Sequence, residues 1–126
     1  MMIIEQMPLT RQLEMVFRTL KDELASLASG TIFVQIRNNL IGKFGVKHDP
    51  IAGNDGDLGR DTHGLSERHQ QALRQMGLQS LQWKRWSHGE IVFEFALKND
   101  SLMASVQFES NYNMNNLLGY SSFKGN

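Results

Sequence analysis

No cysteine occurs in the 126 residues of this chain, which excludes disulfide frameworks, thiol nucleophiles and thiolate metal sites together. A reducing, cytoplasmic setting fits that composition. Nor does charge of either sign prevail: 13 lysines and arginines stand against 13 aspartates and glutamates. No overall field therefore draws the molecule to nucleic acid or anionic lipid, and only a local patch could do so. Long apolar runs are missing as well. The stretch from Met1 to Leu9 is apolar but holds Glu5, contains no basic n-region, and is too short for a signal core or a membrane span.

Chemical signatures are equally scarce. There is no nucleophile elbow, no dinucleotide-binding glycine turn and no pair of carboxylates on one helix face. No catalytic residue, cofactor or metal ion is expected. Repeats, low-complexity tracts and interdomain linkers are not seen in the sequence, and an apolar fraction of 40% suffices for one core without staples. The expectation is a single domain over residues 1–126.

What is present reads as alternating elements. From Thr10 to Ser29, Leu13, Val16, Phe17, Leu20, Leu24 and Leu27 recur at helical spacing with Arg11, Glu14, Arg18 and Lys21 on the other side, with Thr10 as N-cap and Gly30 past the end. Ile32, Val34 and Ile36 then alternate as a strand, Asn38-Asn39 offers a turn, and Leu40 to His48 returns, its Gly42 and Gly45 marking a bulge or an edge. Asp49 to Gly64 is expected to be a long mobile loop. Ser66 caps a short helix ending at Met76 and Gly77. Three strands follow, Leu81 to Trp86, Glu90 to Leu97 and Leu102 to Glu109, with the tail fraying after about residue 119. The predicted fold class is α+β in the order α-β-β-α-β-β-β: a mainly antiparallel five-stranded sheet with the long N-terminal helix packed on one face.

Candidate sites are few. The aspartates between Asp49 and Asp61 lack the ligand spacing of a calcium loop, and the glycines among them lack the lysine of a phosphate loop. His48, His63, His69 and His88 show no metal-ligand spacing, although His48, Asp61, His63 and His69 form an alternative ligand site if the loop folds back. Trp83-Lys84-Arg85-Trp86 interleaves aromatics with cations as a single-stranded nucleic-acid platform requires. Strand phase, however, sends Trp83 to the core beside Leu81 and leaves only Lys84 and Trp86 outside, so packing is the better account. The same phase gives the sharpest expectation. Phe33, Ile41, Trp86, Val92 and Met103 share the face opposite the core, rimmed by Gln35, Lys43, Lys84, Glu94, Gln107 and Glu109, which reads equally as an association surface or as a patch covered by the Met1 to Leu9 arm, the short second helix or the C-terminal tail.

These features favour a small non-catalytic protein acting through protein contacts, as a regulator, adaptor or immunity-type protein with a protein partner or as a homodimer. A small-molecule-binding domain or enzyme using the loop histidines is the second reading. Nucleic-acid binding through Trp83 to Trp86 is the third, and a membrane partner is not expected.

Overall fold

The computed structural model describes residues 7–58 and 63–114. In chain order its elements are α1 (Leu9–Leu24), β1 (Ser29–Arg37), β2 (Leu40–His48), β3 (Gly53–Asn54), β4 (Asp57–Leu58), α2 (Glu67–Trp83), β5 (His88–Lys98) and β6 (Ser101–Ser110). The main sheet is antiparallel and four-stranded, in the order β2-β1-β5-β6, and β3 and β4 form a separate ribbon. The class is thus α+β as expected, with four strands in the main sheet instead of five. No described helix is long and apolar enough to cross a membrane.

The element order repeats: a helix followed by a hairpin, then a ribbon, then a helix followed by a hairpin. The two halves meet where β1 and β5 pair antiparallel, and Ile32 faces Phe93 across that seam. Each of these residues stands six positions before the first residue of its hairpin turn. The turns themselves are alike. Asn38 and Asn39 have φ of 53° and 62°, and Asn99 and Asp100 have 52° and 64°, the left-handed pair that a two-residue hairpin matched to strand twist requires. Asp55 and Gly56, at 52° and 80°, do the same for the ribbon, within the segment expected to be loop. The expected frayed tail lies outside the described residues.

Both helices sit on one side of the sheet. Leu13, Val16, Phe17, Leu20 and Leu24 of α1 are buried against Ile32, Val34, Ile91, Phe93 and Phe95, and Phe17 meets Phe93 edge to face at 5.8 Å. α1 ends at Leu24, earlier than the apolar periodicity suggests, because the chain returns across its C-terminus. The Leu65 N–H donates to the Leu24 carbonyl at 3.1 Å, and a side chain at Gly64 would collide with the Ala25 carbonyl oxygen. At the other end of α1, Pro8 and not Thr10 is the N-cap, and no side chain caps it.

The second helix departs most from expectation. It does not stop at Gly77 but runs on to Trp83, so the strand predicted over Leu81 to Trp86 is replaced by helix and a turn. Gly77 is a packing glycine, since a Cβ there would stand 2.7 Å from Leu13 Cδ2 and 3.1 Å from the Phe93 ring. His69, Leu73, Gly77 and Ser80 form the buried stripe, at the three- and four-residue steps of a helix face. This phase inverts the two tryptophans. Trp83 is 76% exposed and tilted against Phe108 at 6.2 Å. Trp86 is 4% exposed; its Nε1–H donates to the Ser80 carbonyl at 2.9 Å, and its ring meets Phe108 edge-on at 5.7 Å.

We expect Trp86→Ala to lower stability in urea titrations by about 3–5 kcal/mol, the usual range for truncating a buried aromatic. Trp83→Ala should stay near roughly 0.5 kcal/mol, as at an exposed site. The opposite ranking would overturn the helix phase described here.

Candidate functional site

Neither described helix covers the other side of the sheet. Along β1, Thr31, Phe33 and Gln35 point away from the helices, and along β5, Glu90, Val92, Glu94 and Ala96 do the same, alternating with buried neighbours. Register aligns them in rows. Lys47, Thr31, Glu94 and Ser105 form one row; Gly45, Phe33, Val92 and Gln107 form the next. Beyond it, Gln35 lies opposite Glu90, which lies opposite Glu109, and Gln35 Nε2–H donates to Glu90 Oε2 at 2.9 Å. Ala96, opposite Met103, extends the face at the other end.

Three of the five residues expected on this face are there. Phe33 and Val92 are half-buried cross-strand neighbours, and Met103 is 59% exposed. The tip of the Phe33 ring lies over the edge-strand Gly45, where a Cβ would come within 2.9 Å of it. An aromatic covering a cross-strand glycine in this way protects backbone that lacks its own side chain. Lys43 Nζ stands 6.0 Å from the same ring, which puts its ammonium on the open face too. Beside Met103, Thr31, Glu94 and Ala96 line a shallow groove of about 520 Å³ that also reaches Asp49.

The other two expected residues are corrected. Trp86 belongs to the interior, as described above, because α2 and the turn after it replace the predicted strand. Ile41 packs against the core because β2 carries an irregularity: Val34 pairs with Phe44 and Ile36 with Ile41, so three steps on β2 match two on β1. One extra residue reverses the facing of everything beyond it. The Ile41 amide at this point donates to the side-chain oxygen of buried Gln12 at 2.7 Å, while Gln12 Nε2–H donates to the Met7 carbonyl at 2.9 Å. Gln12, on the apolar face of α1, was not singled out by periodicity. Only its place beside Leu13 on a buried stripe could have raised the question of what its amide bonds.

The alternative histidine site is not assembled among the described residues. His48 meets Glu23 at 2.5 Å on the surface, each 45% exposed. His69 is buried at the start of α2, where its N–H donates to the Ser66 hydroxyl oxygen at 3.2 Å and its Nδ1 accepts the Ser66 N–H at 3.0 Å. That leaves Nε2 as the donor to the Asp100 carbonyl at 3.0 Å. His69 thus ties the helix start to the β5–β6 turn and shares no partner with His48. His63 is exposed, and Asp61 lies outside the described residues. Among the described residues no group of three or more His, Asp or Glu could hold a metal ion.

The basic-aromatic stretch is arranged opposite to expectation, with Trp83 outside and Trp86 inside. Lys84 Nζ lies 4.0 Å from the Trp86 ring centroid and donates to the Arg85 carbonyl at 3.0 Å, so its cation caps the buried indole. One exposed aromatic, Trp83, and one exposed cation, Arg85, remain. No protein-family model matches the chain, and neither a curated protein nor a solved structure matches it significantly.

Replacing the two engaged histidines should separate their roles. His69→Ala is expected to cost about 1–3 kcal/mol in urea unfolding, since it strands the Ser66 N–H and the Asp100 carbonyl. His48→Ala should fall within about 1 kcal/mol, as for exposed ion pairs generally.

Proposed function

We propose that this is a non-catalytic cytoplasmic protein that works by binding protein through the open face of its sheet, as a small regulator, adaptor or immunity-type protein does. The observation that carries this reading is the pairing of Phe33 with Val92 at the centre of a face that no described helix or strand covers, with Met103 exposed on the same side. An apolar centre with polar and charged residues around it is the usual composition of a contact surface. One residue of each other reading is engaged within the fold: both ring nitrogens of His69, from the ligand-binding reading, are bonded, and Lys84, from the nucleic-acid reading, is folded onto Trp86.

A photo-reactive amino acid at Met103 or Gln107 in the native cell tests the proposal. Both positions are exposed and their substitution leaves the core untouched. We expect protein adducts from positions 103 and 107 but none above background from Arg18, which is exposed on the helical side. Equal labelling from both sides, or no protein adduct from the sheet face, would overturn it.

A further inference from the structure

The charges on the open face are sorted by strand. On the β1–β2 half the groups flanking the Phe33–Val92 centre are cationic, Lys43 and Lys47. On the β5–β6 half they are anionic: Glu90, Glu94 and Glu109. Two groups at one end of the face are exceptions: Lys98, on the stretch of β5 that runs past its last pairing with β1 at Ala96, and Asp49, which follows β2 and lines the groove beside Met103. Among the described residues none of these five flanking groups is drawn into an ion pair. Glu90 and Glu109 even stand directly opposite one another on adjacent strands, an arrangement that is unfavourable unless cations approach from outside the sheet.

From this we infer that the face is self-complementary and that its partner is a second copy of the same chain, stacked face to face about a two-fold axis running parallel to the strands along the β1–β5 seam. The inference rests on the reading of this face as a protein-contact surface. A rotation about such an axis reverses strand order across the interface, so β2 of one copy lies over β6 of the other. Aligned packing of two sheets keeps strand directions within about 30° and holds the rows roughly in step. Phe33 of each copy then covers Val92 of the other. Lys47 comes over the row of Glu94 and Ser105, and Lys43 over the end where Glu90 and Glu109 crowd together. The other in-plane two-fold, across the strands, would place Lys43 and Lys47 on themselves and is disfavoured by like-charge repulsion. Isologous contact of this kind closes on itself and leaves no free copy of the surface.

Charge reversal tests the arrangement without touching the core, since Lys43, Lys47, Glu94 and Glu109 are all exposed. Wild-type protein should sediment as a dimer in a concentration-dependent way. Lys43→Glu with Lys47→Glu, and separately Glu94→Lys with Glu109→Lys, should each weaken self-association about tenfold or more, with circular dichroism unchanged. An equimolar mixture of the two double variants should recover a dimer of mixed composition. A wild-type monomer at every concentration overturns the inference. So does a dimer indifferent to Lys43 and Lys47, which would point to pairing through the free edge of β6 instead. In either case, cross-links from position 103 to a different protein would leave the contact-surface reading standing, whereas their absence removes both.

Discussion

The position of α2 depends on the hydrogen atom that Gly77 carries in place of a side chain. Leu13 of α1 and Phe93 of β5 fill the space that a side chain would take, so the helix can lie against α1 and the sheet at once. Tight packing leaves little tolerance at such a contact. With α1 contacting β2, and α2 contacting β5 and β6, the two helices roof one side of all four strands. No described helix covers the other side, where Phe33, Val92 and Met103 lie.

Much of this was legible in the residues. The apolar stripe of α1, the alternation in β1, β5 and β6, and the Asn38-Asn39 and Asn99-Asp100 turns each carry a local signal, and local signals survive folding. Gly42 and Gly45 also marked β2 as the irregular edge strand. What failed was the assignment of glycine roles. Gly77 looks like a helix stop because its contacts with Leu13 and Phe93 are made between elements and leave no trace in its neighbours. The strand read over Leu81 to Trp86 followed from that error, and with it the inverted placement of Trp83 and Trp86. Asp55-Gly56, a strong hairpin signal, was submerged in a polar segment that looked like loop from end to end.

The candidate face was legible to the extent that phase is. Phe33, Val92 and Met103 follow from alternation in strands whose ends are fixed by tight turns. Ile41 does not, because a single extra residue in β2 reverses facing, and no composition rule locates the step to one position. The cationic and anionic halves were out of reach for another reason. They appear only when strand order is known, and the order β2-β1-β5-β6 is a property of the seam between the two helix-hairpin units.

That seam has a further consequence for the history and handling of the chain. The two units are joined covalently only through the β3–β4 ribbon, whereas β1 and β5 bind them along nine successive residue pairs. Neither unit can hide its oily side alone, because Ile32 and Phe93 each need the other's strand beside them. A chain cut at Asp55-Gly56 should accordingly persist as a reconstituted pair of fragments, each serving as the template on which the other acquires its shape.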